Sequence, residues 1–384
     1  MEFIGYMFDE EYGYSLRIYI LMVMIVTIPA FLSCQQKERE SYWNKFYFLL
    51  SFLLAWFFYI FSDIGTDLIS YLNIFEASNL SIEWITEEGL EPGYKLLNAL
   101  LHSFISNPYI GVAIIKTLQI GLVYVSIYLL RKEIDVGQSV MAYMSLFYFQ
   151  AFNLIRLSLA GSICFVSIAL LIRKKNVIAF LLSLIAATIH FSAIFFVFAS
   201  IVYYAYSISG KYKSIFIILI CASIPAIIIW GGDLIRIIVN SGIFMDRYED
   251  YLDAEQTFGV AQIIFYIPII LLYCMVFPIF FKERDRYLDV GFVFTTTGFG
   301  VAMLGYSLGM LARASIFFAM PFMFLCPYYL RKRAKKEFAY GMLRLNHRSE
   351  NKLFMGYWIF RFILMISGLF IPSGLYQFKF FFIG

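Results

Sequence analysis

Apolar runs of about 17 to 23 residues alternate with short charged connectors about a dozen times along this chain. Each run suffices to cross a hydrocarbon core ~30 Å thick, which needs about 20 residues of helix. The pattern predicts helices near 16 to 33, 44 to 61, 108 to 130, 138 to 154, 157 to 172 and 176 to 189. It continues with 191 to 208, 214 to 230, 259 to 281, 289 to 308, 314 to 330 and 353 to 372. The fold class that follows is all-α: a polytopic integral membrane protein of about 12 transmembrane helices. Residues 1–384 read as a single transmembrane domain with two larger outer, periplasmic loops, 62–107 and 231–258, that contain short amphipathic helices.

Charge gives the alternation a direction. The connectors at 34 to 45, 131 to 137, 173 to 175, 211 to 213, 282 to 289 and 331 to 352 carry 21 of the 30 Lys and Arg residues. By the positive-inside rule they face the cytoplasm. The segments 1 to 15, 62 to 92 and 231 to 258 carry 17 of the 26 acidic residues, with only Arg236 and Arg247 as cations. Chemistry built on those acidic segments belongs outside the cytoplasm, and the location expected is the cytoplasmic (inner) membrane with a site facing the periplasm.

Composition narrows the class further. At 61% hydrophobic residues and a mean hydropathy of +0.77, little of the chain is left for a separate soluble domain, and the net charge of +4 is no footprint of nucleic acid. Cys34, Cys164, Cys221, Cys274 and Cys326 lie in or at the ends of apolar runs without metal-ligand spacing, and read as small core hydrophobes. No cleavable signal is expected, since the first apolar run follows an acidic stretch and ends in Cys34-Gln35-Gln36-Lys37.

The outer segment 62–107 has structure of its own. Thr66 can cap a short helix over Leu68 to Ala77 that sets Asp67 and Tyr71 on one face. After Glu91-Pro92-Gly93-Tyr94 comes a stretch with Leu97, Leu100, Leu101, Phe104 and Ile105 on one stripe and Lys95, Asn98, His102 and Ser106 on another. It reads as an amphipathic helix too short to span, lying at the outer headgroup level. Arg156 and His190 fall at two tight outer hairpins, and Arg313 opens the penultimate apolar block.

The order of these features resembles the EpsG/Wzy family of membrane polysaccharide polymerases. The resemblance is carried by Gly65-Thr66-Asp67 with Tyr71, Glu91-Pro92-Gly93-Tyr94, Arg156 with Leu159-Ala160, Ile189-His190-Phe191-Ser192-Ala193, Arg247-Tyr248 with Tyr251, and Arg313. It covers about 45 to 330. One departure stands out: Phe61-Ser62-Asp63 supplies no Arg before the Gly-x-Asp motif, where such proteins often have one.

The resemblance implies a glycosyltransferase that joins undecaprenyl-diphosphate-linked oligosaccharide repeat units. A hydroxyl of one unit displaces the diphosphate from the sugar C1 of another. A cation must neutralise the leaving diphosphate, a task suited to the planar Arg fork; Arg156, Arg313 and Arg247 are the candidates. Asp67 and His190 are the candidates to take the acceptor proton, and Tyr71, Glu91, Tyr94 and Tyr248 to bind glycan. With no Asp-x-Asp motif on the outer face, neither a metal nor another cofactor is expected. The implied partners are the lipid-linked oligosaccharide, membrane lipid and a chain-length regulator in the same membrane.

Two other classes compete. A transporter or flippase of lipid-linked sugars would place charges near the bilayer midplane, and Lys116, within its helix, fits that pattern. An O-antigen ligase would use the same donor on the same side, so residue chemistry hardly separates it from a polymerase.

Overall fold

The computed structural model describes residues 10–35, 42–87, 89–212, 215, 285–307, 316–334 and 347–369. Every regular element among them is helical. In order these are α1 (Glu10–Gln35), α2 (Tyr42–Ile60), α3 (Leu68–Ala77), α4 (Ile82–Thr86), α5 (Pro92–His102), α6 (Pro108–Leu130) and α7 (Val136–Tyr143). There follow α8 (Ile155–Ile172), α9 (Asn176–Ile189), α10 (Ile194–Ile208), α11 (Arg286–Ser307), α12 (Ile316–Ala334) and α13 (His347–Leu369). Among the described residues, five helices are long and apolar enough to cross a membrane: Gly13–Ser33, Tyr42–Ile60, Pro108–Leu130, Ile155–Ile172 and Phe191–Ile208. The chain is an α-helical membrane protein. The expected helices at 214 to 230 and 259 to 281, and the outer loop 231–258, lie outside the described residues.

Packing follows from the few polar groups that the apolar runs carry. Ser51 donates to the carbonyl of Val26 at 2.8 Å and meets the Tyr124 hydroxyl at 2.9 Å, which ties α2 to α1 and α6. Ser167, Ser183 and Ser200 form a hydroxyl ladder of 3.1 and 3.3 Å across α8, α9 and α10. Small polar residues of this kind let helices approach closely and supply directional contacts where lipid removes the hydrophobic drive between helices. The most enclosed span is α8, which packs against α6, α9, α11 and α12.

Two expectations change here. The run 138 to 154 is one helix on sequence grounds, yet α7 ends at Tyr143 and gives way to a π-helical turn, Met144–Tyr148, and a 3-10 turn, Gln150–Phe152. The broken backbone is enclosed in protein, the condition under which irregular structure at membrane depth is tolerated. Its product is the position of Asn153, just before α8. Thr66 does not cap α3 either. The N-cap is Asp67, with no side-chain cap bond, and the Thr66 hydroxyl is turned instead to Asn153 and Asp67.

Lys116 is fully buried. Its Nζ donates to the Tyr59 carbonyl at 3.3 Å and sits 5.1 Å from the centre of that ring, while the Tyr59 hydroxyl donates to Gln119 and to the carbonyl of Ala151. The protein itself thus supplies this buried cation with a carbonyl and an aromatic face.

The two ends of the helices differ in chemistry. At one end Tyr287 donates to Glu133, Arg173 lies 3.7 Å from Glu133, Arg286 donates to the Leu171 carbonyl at 2.6 Å, and Arg331 donates to the Arg131 carbonyl at 2.9 Å. These residues come from four of the basic connectors, so the helices bring those connectors together. Arg156 lies in the first turn of the 18-residue α8 and Arg173 caps its other end, so about 25 Å of helix separates them. The Arg156 end holds the motifs of the acidic outer segment.

Candidate functional site

Glu91-Pro92-Gly93-Tyr94 is a helix start whose four residues have four different jobs. Pro92 stands at the first helical position of α5, where its missing N–H costs nothing. Gly93 lets α5 abut α9, because a Cβ there would lie 2.3 Å from the Thr188 hydroxyl oxygen and 2.7 Å from the Thr188 carbonyl. Tyr94 is wholly buried and its ring meets Tyr71 edge-on, with centroids 6.3 Å apart. Glu91 is the N-cap residue, but its carboxylate makes no cap bond to its own helix. It reaches outward: one oxygen accepts from the Phe191 amide at 3.0 Å and the other lies 2.8 Å from Nη1 of Arg156.

Those contacts join three segments distant in sequence. Arg156 occupies the first turn of α8, and Phe191 begins the 3-10 turn Phe191–Ala193 that follows α9. His190 lies between α9 and that turn, and its Nδ1 accepts from the Ser192 amide at 3.3 Å and meets the Ser192 hydroxyl at 2.7 Å. With Nδ1 accepting the amide hydrogen, a neutral ring carries its proton on Nε2. His190 is then built to donate from Nε2 rather than to accept there.

Gly-Thr-Asp docks on the same end. Gly65 has φ +107°, and a Cβ on it would stand 2.6 Å from the Phe152 carbonyl oxygen. Only glycine meets both demands without strain. The close approach lets Oδ1 of Asn153 accept from the Thr66 hydroxyl and from the Asp67 amide, both at 3.0 Å. Asp67 is left partly exposed at the mouth of α3. Asn153 was not among the residues singled out in the sequence, and nothing local marks it: its signal is the break in the preceding helix.

The polar stripe of α5 faces the protein. Tyr94, Lys95 and Asn98 are buried, while Leu96, Leu100 and, just past the helix, Phe104 are exposed. Nζ of Lys95 donates to the Trp84 and Glu87 carbonyls at 2.7 and 2.8 Å, and Nδ1 of His102 meets the Ser78 carbonyl at 2.6 Å. The helix thus binds the outer segment together through its polar face and presents apolar side chains outward, as an element at a lipid surface should.

Electrostatics at this junction favour an ionised Glu91. Burial alone would push its carboxyl up, but the Arg156 guanidinium, His190 and the Phe191 amide outweigh that and hold it below its ordinary value. Burial, with Tyr71 nearby, pushes the Tyr94 phenol up, so it remains a neutral donor. Five buried polar atoms gather here without an aligned hydrogen bond: the Tyr94 hydroxyl, Oδ1 of Asn98, and the ion-paired Oε2 of Glu91 with Nε and Nη1 of Arg156. Buried polar atoms are rarely left so, and the side of Arg156 that is exposed suits an anionic ligand such as a phosphate.

Of the residues expected from sequence, the structure brings Asp67, Tyr71, Glu91, Tyr94, Arg156 and His190 into one linked cluster. Arg313, Arg247 and Tyr248, like Arg236, lie outside the described residues. Among the described residues no group of three or more His, Cys, Asp or Glu side chains could hold a metal ion.

The family model described as the EpsG family matches residues 44–345, more than half of the chain, and the chain belongs to that family. No curated protein and no solved structure matches it.

Proposed function

We propose that this EpsG-family membrane protein is the polymerase that joins undecaprenyl-diphosphate-linked oligosaccharide repeat units at the outer face of the cytoplasmic membrane. The observation that carries this reading is the cluster at the acidic end of the helices, in which the partly exposed Arg156 is paired with Glu91 and the partly exposed Asp67 has its backbone amide held by Asn153. The family supports a polysaccharide polymerase of the membrane. Charge asymmetry supports the side, because the opposite end gathers the basic connectors.

In this mechanism the donor lipid lies with its diphosphate at Arg156. The acceptor hydroxyl oxygen attacks the sugar C1, the bond from C1 to the diphosphate oxygen breaks, and undecaprenyl diphosphate leaves with the bonding electrons. Asp67 takes the proton of the acceptor hydroxyl. Arg156 and the Nε2 proton of His190 stabilise the charge that grows on the leaving oxygen, together with Arg313 and Arg247 as further cations. Tyr71, backed by the buried Tyr94, lies on the sugar side, with Tyr248 as a further glycan contact. Residues of the chain supply the charge in each step, and the protein acts with the lipid-linked oligosaccharide and a chain-length regulator as partners.

The test is chain extension by the purified protein in vesicles that contain only the lipid-linked repeat unit. A ladder of products with successive added repeats is the expected result. Single transfer to a lipopolysaccharide core would make the protein a ligase, and movement of the lipid across the bilayer with no new bond would make it a transporter.

A further inference from the structure

We infer that Glu91 is a positioning residue that acts as the resident counter-anion of Arg156, holding the guanidinium in place and weakening its grip on the diphosphate enough for release. This rests on the polymerase reading above.

Three observations lead there. First, Glu91 stands at the N-cap of α5, but its carboxylate makes no bond to its own helix. One oxygen is committed to the Phe191 amide at 3.0 Å, which fixes the carboxylate independently of Arg156. Second, the ion pair is asymmetric in access. Glu91 is 2% exposed and Arg156 17%, so the anion is sealed inside while the cation borders the outer surface. Third, the contact of 2.8 Å to Nη1 is not an aligned hydrogen bond, and Nε is also unbonded. The guanidinium is neutralised as a charge without being engaged by aligned hydrogen bonds at Nε and Nη1. Nε and Nη1 are sealed on the Glu91 side, so a diphosphate meets the exposed part of Arg156 and leaves Glu91 in place.

The consequence for turnover follows from charge. An Arg bound to diphosphate in a low-dielectric site, with no anion behind it, would hold substrate and product alike, and uniform tight binding does not raise turnover. A fixed negative charge beside the guanidinium subtracts from both. It keeps the geometry needed in the transition state and leaves undecaprenyl diphosphate free to depart.

The variant Glu91→Gln retains an oxygen for the Phe191 amide and removes the charge. With undecaprenyl diphosphate as probe and the protein in vesicles, its Kd should fall by about tenfold or more, the effect of one unit charge a few Å away. KM for the lipid-linked repeat and kcat should fall together. Glu91→Asp, which keeps the charge but draws it back, should bind with intermediate affinity, and it reads the same quantity if the Gln variant does not accumulate. Unchanged or weaker binding in these variants, with wild-type binding measurable, would overturn the inference and leave only a structural ion pair. No binding by the wild type would sink the diphosphate reading itself.

Discussion

Oδ1 of Asn153 and the backbone amide of Asp67, 86 positions apart, form a hydrogen bond of 3.0 Å. One side-chain oxygen therefore anchors the loop that carries the proposed base onto the turn that leads into Arg156. Asn153→Leu removes the acceptor of the part-buried Asp67 amide, at a cost of about 1 to 3 kcal/mol, while the exposed Thr66 hydroxyl, which shares that acceptor, can turn to water or to the Asp67 carboxylate. Asn153→Asp keeps the acceptor. Chain extension should fall steeply in the Leu variant and be largely retained in the Asp variant, at comparable membrane abundance.

Gly65 should tolerate no side chain. Gly65→Ala meets both the positive φ and the Phe152 carbonyl; the first alone costs about 1 to 2 kcal/mol. We expect loss of activity together with a lowered Tm in detergent, and an unaltered Tm would mean that the loop is free to move away.

Asp67→Asn preserves size and removes basicity. Turnover with lipid-linked repeat units should fall by about two to four orders of magnitude, with donor binding little changed. If instead Asp67→Asn is active and His190→Ala is inactive, the base is His190 and the orientation of its Nδ1 toward Ser192 serves another end.

Arg156→Lys retains charge but not the fork. Chain extension should drop about a hundredfold, the order seen when one donor to a developing anion is lost. Arg156→Ala would in addition leave Glu91 buried and unpaired, at about 3 to 5 kcal/mol, so a fall in abundance is expected for Ala and not for Lys. Full activity of the Lys variant excludes forked recognition.

The pH dependence of stability has a sign. The Glu91 carboxyl lies below its ordinary value when folded, so its contribution is fully present above the ordinary glutamate range and is lost as the pH falls through the lowered value. Thermal unfolding in detergent should show a loss on acidification that is smaller in Glu91→Gln. Parallel curves for the two proteins would mean that Glu91 does not contribute.

Sidedness is testable by labelling. In a background without native cysteines, Leu80→Cys should react with an impermeant thiol reagent in intact spheroplasts and Lys175→Cys should not. Labelling at position 175 alone would reverse the orientation and place the cluster on the cytoplasmic side.

Much of the scaffold was legible because it depends on local composition. A run of about 20 apolar residues in lipid has few alternatives to a helix, and two expected helices, 108 to 130 and 176 to 189, coincide with α6 and α9. The grouping of basic connectors was legible for the same reason: charge cannot be left in the hydrocarbon core at small cost. The short outer helix Leu68–Ala77 and the special positions of Gly65 and Glu91 to Tyr94 were visible as motifs.

What tertiary structure decided were the partners. Periodicity says that α5 has a polar and an apolar side, but where lipid replaces water it does not say which side meets protein; here the buried Lys95 and Asn98, with His102, do. Thr66 looked like a cap because a hydroxyl before a helix usually is one, yet Asn153 offered an acceptor that no local pattern announces. The same holds for Arg156. Its position at a helix end follows from the sequence, but its pairing with Glu91 required α5, α8 and the turn after α9 to converge, which Gly93 permits by its lack of a side chain.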